Sequence, residues 1–168
     1  MATPTVSTFS SDTTRVYQEG IVAGILGGLA VAVWFLVVDL VQGRPLYTPT
    51  VLGQALFGRG AGPATYQGLP PSLEMVAMFT WVHLLVFAVV GVVVSRLIAM
   101  VERHPSLGFG FVLLFVILEA CFTAAMMIVA APVLQALTWP AILVANLLAA
   151  AVMAGYFWLR HPAMAMRP

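Results

Sequence analysis

Long apolar runs alternate with short polar ones along the chain, and the runs exceed what the core of a soluble domain needs. A bilayer-crossing α-helix takes about 20 apolar residues at about 1.5 Å each. Four stretches reach that length: Gly20–Val41, Met75–Ile98, Leu107–Ala131 and Trp139–Leu159. The pattern predicts an all-α, polytopic membrane protein, with residues 1–168 forming one domain of four transmembrane helices. A polar N-terminal tail, an outer loop over 42–74, two short connections and a short C-terminal tail complete it.

The first 19 residues are polar, and the pattern predicts a loose tail there. The apolar run behind them is too long for a signal h-region and lacks an A-x-A-like cleavage site, so the first span reads as a retained signal anchor. Tyr17, Trp139, Tyr156 and Trp158 lie at span ends, where rings with one polar edge favour the headgroup level. Pro132 closes the third span and Pro140 sits in the first turn of the fourth, which predicts a tight hairpin between them.

The outer loop is too long to read as a mere linker. Thr48–Phe57 predicts a short interfacial helix, with Thr48 as its cap, Pro49 at its first position and Gly58 or Gly60 at its end. Val51, Leu52, Ala55 and Leu56 share one face of it, which suits either a lid or docking surface or a simple cap on the bundle. The Gly- and Pro-rich stretch 58–71 then turns the chain back. No strand precedes its G-R-G-A-G, so it is not a nucleotide fingerprint.

Composition narrows the class. Charged residues make up 8% of the chain, hydrophobic residues 62%, and the mean hydropathy is +1.04. Soluble domains carry about 25% charge. A water-soluble globule, a nucleic-acid binder and a disordered chain are thereby excluded. The single cysteine, Cys121, excludes a disulfide framework and a cysteine-based zinc site. All 7 basic residues are arginines, a bias typical of a high-GC bacterium. With alternating spans, Arg15, Arg96, Arg103, Arg160 and Arg167 share one side against Arg44 and Arg59 on the other. The positive-inside rule then puts both termini in the cytoplasm, and the protein in the bacterial inner membrane as a multi-pass protein.

Small residues indicate where helices meet closely. Gly20, Gly24 and Gly28 recur every fourth residue in the first span. Such a ridge predicts a tightly apposed partner, because in lipid close backbone approach replaces the hydrophobic effect. The fourth span, with Ala141, Ala145 and Ala149, is the expected partner, or else a helix of another subunit.

Polar groups inside spans are costly and mark candidate sites. Glu119 is central in the third span, with Thr123 one turn on, and His83 and Asn146 lie about 4.5 Å from the centres of their spans, toward the outer side. These groups share nearly one level. They suit a proton-accepting pair or ligand site, an inter-helical hydrogen bond worth about 0.6–2 kcal/mol, or a contact with a partner subunit. Asp39, near the outer end of the first span, is within reach of water or Arg44. His83 is the one candidate ligand for a single-His haem or a chlorin-type pigment, or for a quinone bound beside it. A second axial histidine at its depth is missing, and no metal site or catalytic constellation is predicted. Ser95, Cys121 and Thr123 have no spacing that ties them to His83.

The pattern departs from small multidrug exporters, whose essential carboxylate lies in the first span, and from disulfide-generating membrane proteins, which need paired cysteines. Packing chemistry outweighs reaction chemistry. The expectation is a non-catalytic integral subunit or accessory protein of a larger bacterial membrane assembly, energy-transducing assemblies included, whose partners are the bilayer and other membrane subunits or itself. The alternative is a small oligomeric transporter or proton-linked permease using Glu119, His83 and Asn146.

Overall fold

The computed structural model describes residues 7–58, 68–103 and 139–160. They form four helices: α1 (Ser7–Val41), α2 (Tyr47–Phe57), α3 (Leu73–Arg103) and α4 (Trp139–Arg160). Three contain segments long and apolar enough to cross a membrane, Thr14–Val41, Leu73–Val101 and Pro140–Arg160, and the chain is a membrane-embedded helical protein. The expected span Leu107–Ala131, and with it Glu119, Cys121 and Thr123, lies outside the described residues.

The expected loose N-terminal tail is corrected from Ser7 onward, because α1 begins there. Residues 7–19 contain neither Gly nor Pro to interrupt a helix. Arg15 and Glu19, one turn apart, form an ion pair at 2.9 Å within the last part of the expected tail.

Helix α1 is central among the described elements and packs against both α3 and α4. It does so with two parallel rows of residues, each at four-residue spacing. One row is Gly20–Gly24–Gly28. A Cβ on Gly20 would lie 2.6 Å from the Val92 Cα, and one on Gly24 would strike the Phe87 carbonyl. A Cβ on Gly91 of α3 would in turn meet the backbone of Gly20 and Gly24. The glycine ridge therefore meets α3, not the expected α4, because α3 brings a glycine of its own to the crossing.

The second row is Ala23–Gly27–Val31. Here Gly27 meets the Met153 side chain, and Val31 clusters with the buried Ala145 and Ala149 under Trp34, Phe35 and Phe87. The alanine stripe does face α1, but it takes the adjacent row. The remaining apolar side chains of α1, such as Ile25, Val33, Val37 and Leu40, are exposed. In a bilayer they face lipid, where exposure of apolar surface costs nothing.

Both neighbours run antiparallel to α1. Along α3, Ser95 is opposite Val16 and His83 is opposite Gly28, so rising number on α1 meets falling number on α3. Along α4, Ala141 is opposite Trp34 and Met153 is opposite Gly27.

Helix α2 lies across one end of this assembly, packed on α3. Gly53 brings its backbone against that of Met75. Its first turn differs from expectation. Leu46 precedes the helix in the left-handed region at φ 63° and makes no side-chain cap, and Thr48 is already inside it. Its buried residues are Tyr47, Thr48, Thr50, Val51 and Gly53, while Ala55 and Leu56 are exposed. The expected aliphatic face is thus corrected: hydrogen bonds from the threonines and the closeness allowed by Gly53 select the docking side.

Candidate functional site

Several polar side chains along the described spans can be followed to their partners. Asp39 lies in the last turn of α1 and is 2% exposed. One carboxylate oxygen accepts the Thr48 backbone N–H and the other accepts the Thr48 hydroxyl, both at 2.7 Å. Its expected partner, water or the arginine, is corrected. The Arg44 guanidinium stacks over the Tyr47 ring, 4.2 Å from its centroid, and donates to the Gln42 side chain. Arg44 meets Asp39 only through the backbone, its N–H donating to the Asp39 carbonyl at 2.8 Å. The geometry follows from helix chemistry. The first turn of α2 has N–H groups without intrahelical acceptors, and a carboxylate is well placed against its positive end. Asp39 supplies from α1 the cap that Leu46 lacks. The far side of the same turn is tied as well. The Thr50 hydroxyl donates to the Leu46 carbonyl at 2.7 Å and accepts the Ser72 N–H at 3.3 Å, just before α3 starts.

His83 is half-buried in the α1–α3 contact. Its Nε2 is 3.1 Å from the Gly28 carbonyl, toward which it donates as the Nε2–H tautomer. The ring lies between Phe79 and Phe87, at centroid separations of 5.5 and 4.7 Å. A Cβ on Gly28 would crowd Phe87 and Leu84, the neighbours of His83 on α3, at 3.1 and 3.2 Å. An axial bond from Nε2 to a haem or pigment metal would require breaking the hydrogen bond to Gly28, so that nitrogen does not fit the role.

Ser95, buried two turns before the end of α3, donates its hydroxyl to the Val16 carbonyl at 2.8 Å. Ser95 and His83 are 12 residues apart on one helix, about 18 Å, and make no nucleophile–base pair. Trp34 donates its indole N–H to the Ala141 carbonyl at 2.9 Å. These three contacts share one form: a side-chain donor takes the second lone pair of a helical carbonyl on the neighbouring helix.

Asn146 is exposed on α4, while Ala145 beside it is buried. His83 instead packs into the α1–α3 seam, so the two are not brought together. Among the described residues, no three His, Cys, Asp or Glu side chains gather as a metal site. Nor does any buried side-chain nitrogen or oxygen among them lack a hydrogen-bond partner.

Two sets of contacts were missed by sequence reasoning. Arg96 of α3 stacks over Tyr17 of α1, 4.3 Å from the ring centroid, and donates to its hydroxyl. Arg160 lies 5.6 Å from the centroid of Tyr156. The second was readable as a Tyr and an Arg one helical turn apart; the first pairs residues far apart in sequence and left no local signal. Glu19, only 6% exposed, was likewise counted among the tail residues, although its (i, i+4) spacing to Arg15 was visible.

Compared with known proteins, the chain matches no family model, no curated protein and no solved structure.

Proposed function

We propose that this protein is a non-catalytic integral subunit or accessory protein of a larger bacterial inner-membrane assembly, built as four membrane spans with both termini in the cytoplasm. One observation carries this reading: Asp39, His83 and Ser95 are each taken up in holding helices together. Asp39 holds α2, and His83 and Ser95 hold α3 against α1. A site built for proton or solute transfer keeps such groups available to its cargo. Here they act as fixed donors and acceptors in a tight framework, which suits a scaffold that presents its outer faces to lipid and to other subunits.

Topology supports the fourth span. Arg96 near the end of α3 touches Tyr17 near the start of the α1 span, whereas Ala141 at the start of α4 touches Trp34 toward the other end. The chain thus leaves α3 at one end of the bundle and enters α4 at the opposite end. The apolar run Leu107–Ala131 between them has the length for that crossing.

Gentle solubilisation from the native membrane, with affinity capture of the tagged chain, tests the assignment. The expected outcome is a complex of defined mass with other membrane chains in fixed ratio. A monodisperse monomer would sink it.

A further inference from the structure

We infer that the end of the bundle where α3 and α4 terminate binds the phosphate headgroups of anionic bilayer lipids through Arg96 and Arg160. This rests on the membrane-embedded reading and adds to it a lipid class and two residues.

The antiparallel packing collects the arginines. Because α3 and α4 both oppose α1, their C-terminal ends lie at the end of the bundle where the α1 span begins. Arg15, Arg96 and Arg160 are therefore at one end. Arg15 is paired with Glu19, which cancels its charge locally. Arg96 and Arg160 are exposed, and no described carboxylate pairs with either. Each guanidinium is instead set against a tyrosine ring, Tyr17 and Tyr156 respectively. At 4.3 Å the Tyr17 ring holds the Arg96 guanidinium while leaving N–H groups at its edge, the arrangement that grips phosphate oxygens, and Arg160 lies at the looser distance of 5.6 Å. A tyrosine at the membrane boundary also holds the guanidinium at headgroup depth. Counted by position among the described residues, this end carries Arg15, Arg96, Arg103 and Arg160 against Asp12, Glu19 and Glu102, whereas the opposite end carries Arg44 against Asp39 and Glu74, so the balance is positive at one end and negative at the other. Charge complementarity thus selects an anionic lipid, and selects one leaflet for it.

The test uses the full chain in nanodiscs of phosphatidylcholine with or without phosphatidylglycerol, with spin-labelled lipids reporting which headgroup is enriched at the protein boundary. An arginine near a headgroup layer is expected to favour the anionic lipid by roughly fivefold. Enrichment should fall as salt rises, should be lost in the double variant Arg96→Gln/Arg160→Gln, and should persist in Arg44→Gln. The double variant Arg96→Lys/Arg160→Lys should keep only part of it, since the charge remains but the ring-held fork of N–H donors is lost. Added inorganic phosphate should not compete, because the free ion lacks the bilayer's local concentration. Equal enrichment in the wild type and the Gln double variant would overturn the inference, as would a salt-independent preference if that variant does not fold. Insertion into phosphatidylcholine discs without any lipid preference defeats the inference alone; failure to insert in any lipid defeats the membrane reading beneath it.

Discussion

At the scale of the residue, glycines in α1 differ by what stands opposite them. Gly24 faces the backbone of Phe87 and Ala88, which cannot rotate away, whereas Gly27 faces Cγ and Sδ of the flexible Met153 side chain, 2.9 Å from where a Cβ would stand. Gly24→Ala should therefore push α1 and α3 apart and destabilise the protein by about 1–3 kcal/mol, the usual cost of overpacking. Gly27→Ala should be nearly neutral, because methionine repacks readily. Thermal unfolding of the two variants in detergent checks this, and equal loss in both would contradict it. His83→Phe isolates another residue-scale effect. It keeps an aromatic ring between Phe79 and Phe87 while removing the hydrogen bond to Gly28, and should cost only about 0.6 kcal/mol, an average membrane hydrogen bond. The sequence showed that these positions were unusual. It did not show their partners, since periodicity identifies the face of a helix and is silent about what covers it.

At the scale of the element, α2 is the shortest of the described helices, and a few contacts fix its position. Its first turn depends on Asp39, 9 residues earlier in the chain. Asp39→Ala would leave the Thr48 N–H without its carboxylate acceptor and should weaken docking of α2 by about 1–2 kcal/mol, in the range of a lost helix cap. Hydrogen exchange should then show faster exchange of α2 amides with α1 and α3 little changed; unchanged α2 protection would show that Thr50 and Gly53 suffice. Much of this element was legible. Pro49, Gly58 and the apolar run placed a helix within a residue of where it lies, Tyr47–Phe57. Its cap was not, because Thr48 was read as an acceptor for its own helix, and the true acceptor belongs to α1. Local capping rules describe the ends of isolated helices, and a carboxylate from another element can displace them.

At the scale of the whole molecule, the described spans have boundaries close to those set by hydropathy, because a bilayer fixes the length of an apolar helix with little regard to neighbours. Their arrangement was open: four helices and a long loop admit several orders, and the choice rests on the Gly91 crossing and the Trp34–Ala141 contact. That arrangement predicts sidedness. In a Cys121→Ser background, cysteines introduced at Thr14 and Arg160 should react with an impermeant maleimide from the same side of sealed vesicles, and one at Gln42 from the opposite side. Labelling of Thr14 and Arg160 from opposite sides would exclude the topology.

The two adjoining rows on α1 also bear on how the protein is made. The glycine row finds its partner once α3 has emerged from the ribosome. The Ala23–Gly27–Val31 row has to wait for Met153, Ala149 and Ala145 of α4. The first of the described helices is thus completed by the last of them. Until α4 has been inserted, one seam of the bundle stays open to lipid and to any insertion factor or neighbouring subunit able to occupy it.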